Sequence, residues 1–168
     1  MSEVRLLCTQ PLDPALKSLP PRGAEDYLTA VENLLSSAIR SVQIVCPFVD
    51  AKGAEVLERA WRRSRSRATW EVYTRHSPDE LVDAARRSNW LLYEYVGTRG
   101  GDERRGFHCK LFIADARRAI LGSVNLIYEN LVENLELGVL IDDPTDVRAL
   151  LSVPRALRRA SRKRTEGA

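Results

Sequence analysis

The rhythm of apolar residues changes partway along this chain, and that change most constrains its fold. Tyr27, Leu28, Val31, Leu34, Leu35 and Ala38 recur at helical spacing, with Glu25 and Asp26 at the positive end of the helix dipole and Arg40 at the negative end. Residues 42–46 then read as a short apolar strand stopped by Pro47. The alternation repeats with a helix over 54–64 and a strand over 69–74. Ser77-Pro78-Asp79-Glu80 predicts the next helix start, with Ser77 as cap, proline in the first turn and Glu80 closing a capping box. That helix is expected to run to about Ser88, followed by a strand over 90–96 and a polar loop over 97–106. Beyond the loop the helices stop alternating. Residues 107–113 and 119–121 read as a hairpin across Asp115-Ala116-Arg117-Arg118, residues 126–130 as a short helical segment and 133–141 as a strand. Pro144 opens a C-terminal helix. Early alternation followed by three gathered strands predicts one α/β domain, an α/β/α sandwich around a central mixed β-sheet.

Flanking this patterned stretch, residues 1–23 contain Pro11, Pro14, Pro20 and Pro21 and read as an extended lead-in without chemistry. Residues 24–153 form the expected catalytic domain. From Pro154 onward, Arg155, Arg158, Arg159, Arg162, Lys163 and Arg164 stand against Glu166, so a basic tail of +5 accounts for the net +3 and leaves the rest of the chain at −2. Such a tail suits attraction to phosphate backbones or simple solubility.

With 168 residues, 44% of them hydrophobic, the chain can bury a core without covalent staples. Cys8, Cys46 and Cys109 are odd in number and lack C-x-x-C spacing, which fits reduced thiols in an intracellular setting. No run approaches the roughly 20 apolar residues that span a bilayer, and residues 1–14 lack a signal-peptide pattern. A cytoplasmic protein without a membrane partner is expected.

The chemistry concentrates in one constellation. His108, Lys110, Asp115, Gly122, Ser123 and Asn125 stand in the spacing H-x-K-x4-D-x6-G-S-x-N, and Asn134 and Glu136 follow on the next apolar run. A chance match at six fixed positions in a chain this long is on the order of one in a million at average residue frequencies. On a strand, residues two apart share a face, so His108 and Lys110 are expected side by side with Cys109 turned into the core. Imidazole, with a reference pKa of about 6.5, is a competent nucleophile near neutral pH. Lys110 and Asn125 offer charge and amide donors where a pentacovalent phosphorus gathers negative charge. Ser123 adds a hydroxyl, and Gly122 a tight turn. Asp115, in the hairpin turn, reads as structural, capping the turn or pairing with Arg117 or Arg118. The role of Asn134 is left open.

This pattern resembles the HKD motif of the phospholipase D superfamily, and Asn134-Leu135-Glu136 resembles the N-x-E that follows it there. The resemblance is specific over residues 107–136 and extends in element order over about 24–142. It implies the same α/β/α sandwich, a phosphohistidine intermediate without a metal or other cofactor, and a Glu136 carboxylate that accepts the second ring N–H of the catalytic histidine. Short chains with one motif are most similar to bacterial endonucleases that pair two subunits about a shared active site. One histidine attacks phosphorus while another protonates the leaving oxygen, so a homodimer is expected. The second histidine of the chain, His76, lies at a predicted helix cap without an H-x-K context, which leaves the twin His108 as the acid.

Three functions compete on these residues. The first is a nuclease on DNA or RNA, with Arg99, Arg104 and Arg105 of the polar loop holding flanking phosphates. The second is a phospholipid hydrolase or transferase using the same histidine chemistry, against which the loop over 97–106 offers no large apolar residue. The third is a non-catalytic nucleic-acid-binding subunit of a restriction or defence assembly. Arg62, Arg63, Arg65 and Arg67 read as a solvated surface.

Overall fold

A computed structural model describes residues 3–17, 20–96 and 106–165. Arg99, Arg104 and Arg105, expected as substrate contacts, lie outside the described residues.

Among the described residues, nine strands form one mixed sheet. The first half is parallel: β3 (Ser41–Val45), β4 (Thr69–Thr74) and β5 (Leu91–Tyr95) run side by side, joined by helices α2 (Ala51–Arg63) and α3 (Asp79–Ser88). Beside β3 the direction reverses into an antiparallel run of β6 (Lys110–Ala114), β7 (Arg118–Gly122) and β8 (Leu137–Asp142). The change in apolar rhythm read from the sequence is therefore this change in strand direction.

Helix α1 (Tyr27–Ser36), α2 and α3 cover one face of the sheet, where Leu34, Leu57 and Leu81 pack on Ile44, Val72, Phe112 and the stacked pair Trp70–Trp90. The other face holds Val45, Tyr73, Leu111 and Ile113 beneath α4 (Pro144–Leu150) and α5 (Ser152–Arg159), contributing Val147 and Leu157. Helix starts follow from side-chain capping: Asp26 accepts from the Thr29 amide and Asp50 from that of Gly53, each at 2.8 Å.

Both termini depart from expectation. The lead-in contains β1 (Glu3–Cys8), which pairs along its whole length with β8 and also with the short β2 (Glu25–Asp26). Only Leu7 and Cys8 of its alkyl residues are fully enclosed, so the strand lacked a clean alternating signature. The basic tail likewise contains α5 and β9 (Ser161–Lys163), an edge strand on β5. Some of its arginines pair within the fold: Arg158 reaches Glu71 and Arg162 reaches Glu94. Thr165 locks the segment down, donating to the Trp90 carbonyl and accepting from the Leu92 amide.

The capping box at α3 does not form. Ser77 instead donates its backbone N–H to Glu94 at 3.0 Å, while its hydroxyl makes no cap bond and the helix begins after Pro78. Glu94 wins this competition because it also gathers Arg162 and Arg164; burial opposes its charge, but these hydrogen bonds hold its carboxyl below the usual range. The short helical segment is a π-turn over Glu129–Glu133, and β8 starts only at Leu137.

Candidate active site

Strand directions determine where the motif converges. The carboxyl ends of β1, β3, β4, β5 and β7 and the amino ends of β6 and β8 all lie at one end of the sheet, as the pairings Cys8↔Leu137, Val45↔Leu111 and Lys110↔Gly122 require. His108 and Lys110 enter β6 there, Ser123 and Asn125 leave β7, and Glu136 precedes β8.

Lys110 is the buried member, 3% exposed, whereas His108 stands exposed just before the strand. The ammonium lies 3.0 Å and 3.2 Å from the two ring nitrogens and donates to the His108 carbonyl at 2.9 Å. Desolvation lowers the pKa of Lys110, partly countered by the Cys46, Glu136 and Cys109 groups nearby. Cys109 turns toward the opposite face with Phe107 and Leu111, as the alternation requires. Its thiol pKa is raised, chiefly by burial.

Glu136 gathers the second half of the site. Ser123 Oγ donates to one carboxylate oxygen, and Asn130 Nδ2 donates to the other at 2.5 Å. Asn130 also accepts from the Asn125 amide at 3.3 Å, while Asn125 Oδ1 is buried without a hydrogen-bond partner among the described residues. No hydrogen bond joins Glu136 to His108 within the chain among the described residues; the carboxylate is turned toward its own β7 and π-turn.

Two contributors here had no motif to announce them. Thr9, just past β1, accepts from the Glu136 amide at 2.8 Å and donates to the Asn134 carbonyl at 2.8 Å, so it clamps the segment carrying the carboxylate. Asn130 is the other. Its only sequence signal was a polar residue inside an otherwise amphipathic segment beside the motif. Asn134 presents its backbone to this clamp, its amide bonding the Glu129 carbonyl at 2.8 Å. Gly122 is required by packing: a Cβ there would stand 2.7 Å from the Leu137 carbonyl and 2.8 Å from the Tyr27 hydroxyl.

Asp115 sits at the far end of β6, away from this cluster. Its carboxylate accepts the backbone N–H groups of Ile39, Arg40 and Ser41 at 2.9, 2.7 and 3.0 Å, tying the α1–β3 connection to the hairpin turn. It does not pair with Arg117 or Arg118; Arg118 donates to Ser37 instead. Burial opposes the charge of Asp115, yet the three amides and nearby Arg40 hold its pKa below the usual range. His76 lies past the end of β4, and its amide contacts Thr74 Oγ1 at 3.4 Å. Among the described residues no three His, Cys, Asp or Glu side chains are grouped to hold a metal ion, and no helix is long and apolar enough to cross a membrane.

Comparison with known proteins places this geometry. Residues 31–153 match the family model described as "Cardiolipin synthase, PLD-like domain". The chain is 22% identical over 120 residues to DISARM protein DrmC of Bacillus paralicheniformis, an alignment covering 68% of this chain and 49% of that protein, so the chain spans about half the length of the curated relative it matches. Among solved structures, the phospholipase D family member Nuc from Salmonella typhimurium superposes with a TM-score of 0.69 at 16% identity, over 100% of both chains. NucT from Helicobacter pylori gives 0.67 at 16% identity over 97% of this chain and 99% of its own. Phosphatidylserine synthase from Haemophilus influenzae Rd KW20 gives 0.62 at 13% identity over 97% of this chain but 40% of its own. With most of the chain inside the matched model, this protein belongs to the phospholipase D-like family.

Proposed function

We propose that this chain is a metal-independent phosphodiesterase, an endonuclease on DNA or RNA whose active site is completed by a second copy. The observation that carries the reading is the exposed His108 imidazole held against the buried Lys110 ammonium at the carboxyl end of the parallel strands. A ring nitrogen of one His108 attacks phosphorus, and the P–O bond to the leaving oxygen breaks as the twin His108 donates its proton to that oxygen. Water then attacks the phosphohistidine, giving its proton back to the twin imidazole as the P–N bond breaks. Lys110 and Asn125 stabilise the charge that builds on the equatorial oxygens, and Ser123 holds Glu136 in place. A carboxylate has about four acceptor positions, so Glu136 retains capacity for a ring N–H across the twofold axis after accepting from Ser123 and Asn130.

An apolar patch on the antiparallel half of the sheet offers a second copy a surface to associate with. Val4 and Leu6 of β1, Leu121 of β7 and Leu137 of β8 share one face by register and are 59%, 39%, 36% and 46% exposed. Leu121 pairs with Leu111, so this patch lies on the face of the sheet opposite His108 and Lys110, and Leu121 and Leu137 reach the end of the sheet that carries Ser123 and Glu136. Clustered alkyl groups of this kind mark association surfaces.

The structural likeness to Nuc and NucT over nearly their whole lengths favours the nuclease reading. Hydrolysis or transfer on phospholipid has the family description as its support, and membership of a restriction or defence assembly has the DrmC relative. The deciding experiment incubates the protein in EDTA with single- and double-stranded DNA, RNA and labelled phospholipid vesicles, with His108→Ala as control. Cleaved oligonucleotide in EDTA, lost in His108→Ala, is expected. Turnover of vesicles alone, oligonucleotide binding without turnover, or activity that returns only with Mg²⁺ overturns the reading.

A further inference from the structure

Beyond the motif, the end of the sheet that carries His108 also presents an aromatic ring with a guanidinium on it. Phe48 follows β3 by way of Cys46-Pro47 and leaves 39% of its surface exposed. Arg75, just past β4, lies over that ring at 5.4 Å from the centroid.

The backbone under the pair is fixed. The Arg75 amide donates to the Pro47 carbonyl at 3.0 Å, Thr74 Oγ1 donates to the same carbonyl at 3.0 Å, and the buried Cys46 thiol donates to the Phe48 carbonyl at 3.2 Å. Two routes tie the pair to the reacting groups. Cys46 Sγ accepts from the Leu126 amide, adjoining Asn125, at 3.2 Å. Gly106, two residues before His108, lies against Arg75, since a Cβ there would stand 2.9 Å from its Nε. Ring and guanidinium therefore belong to the same rigid end of the sheet as His108 and Lys110.

We infer that Phe48 and Arg75 form a stacking platform for an unpaired nucleobase next to the scissile phosphate, which makes single-stranded nucleic acid the preferred substrate. The inference rests on the nuclease reading above and specifies its substrate class. Every base has a π-face, so stacking is indifferent to sequence, and a guanidinium over an aromatic ring extends the platform. Within a duplex both faces of each base are already stacked, so the platform gains nothing from one.

The test pairs a protein change with a substrate change. Single-stranded oligonucleotides of one sequence, either intact or carrying a single abasic residue at successive positions about the cleavage site, are cleaved by wild type and by Phe48→Ala, Phe48→Leu and Phe48→Trp. For wild type, kcat/KM is expected to fall about tenfold when one particular flanking base is removed. Phe48→Leu, which keeps apolar bulk, and Phe48→Ala should be nearly indifferent to that removal, while Phe48→Trp should restore the dependence. Wild type should also cleave single strands faster than the matching duplex, by a ratio that shrinks in Phe48→Leu. The same abasic penalty in Phe48→Leu as in wild type, no penalty at any position in wild type, or equal cleavage of duplex and single strand overturns the inference while leaving nuclease activity itself in place. Absence of cleavage on every nucleic acid by wild type instead overturns the underlying reading.

Discussion

Two carboxylates of the motif region, Asp115 and Glu136, occupy opposite ends of the sheet and take opposite kinds of partner. Asp115 accepts three backbone amides from the α1–β3 connection. Among the described residues, Glu136 binds through its side chain to side chains, those of Ser123 and Asn130. A carboxylate saturated by main-chain donors is committed to shape, because moving it leaves several buried N–H groups unmatched. One held by side chains can be oriented and still leave capacity for another group. Strand direction puts them at different ends, and main-chain partners at one end stand against side-chain partners at the other.

The comparison is sharpened first by His108→Ala, which should lower phosphodiesterase turnover by at least about a thousandfold while leaving the thermal midpoint near that of wild type. Glu136→Gln should follow with a loss on the order of a hundredfold and a smaller change in stability than any Asp115 variant causes. Asp115→Ala inverts the pattern: chemical denaturation should show a loss of about 1–3 kcal/mol, with turnover per folded molecule retained. If Asp115→Ala abolishes turnover at full stability, the division between the two acids is wrong.

Acidity offers a subtler probe. The folded-state pKa of Asp115 lies below its unfolded value, so its contribution to stability is present above the unfolded pKa and is lost as pH falls through the folded one. Asp115→Asn should therefore flatten the acid limb of the stability profile. Lys110 has the reverse relation. Its folded pKa is lowered by burial, so the unfolded chain holds the proton more tightly and the cost of the buried charge fades as pH rises through the folded and toward the unfolded value. Lys110→Met should match or exceed wild type in stability at neutral pH and lack activity; a clear loss of stability would contradict that account. The smallest effect is expected at Thr9→Val, where losing the clamp on the Asn134–Glu136 segment should lower turnover several-fold.

Much of this was legible in the residues. Strand period placed His108 and Lys110 together and Cys109 behind them, and the switch from helix–strand alternation to clustered strands gave the mixed sheet its layout. What remained hidden depended on long-range partners. Nothing local says that Glu94, anchored by Arg162 from the last strand, takes the Ser77 amide from a helix cap that its own sequence favours. Nor could spacing reveal that the Pro-rich lead-in supplies β1 and Thr9, because that strand pairs with residues about 130 positions away, as Leu7 with Gly138 and Cys8 with Leu137. The turn position of Asp115 pointed to a partner within the hairpin, whereas its donors come from the α1–β3 connection.

The proposed sharing of one site by two chains is tested most directly with purified mixed dimers, one differently tagged subunit being wild type and the other His108→Ala. If attack and protonation need both imidazoles, the mixed dimer should show only the residual turnover of the double variant. Half the wild-type activity, or full activity in a species that light scattering finds to be a monomer, would contradict it.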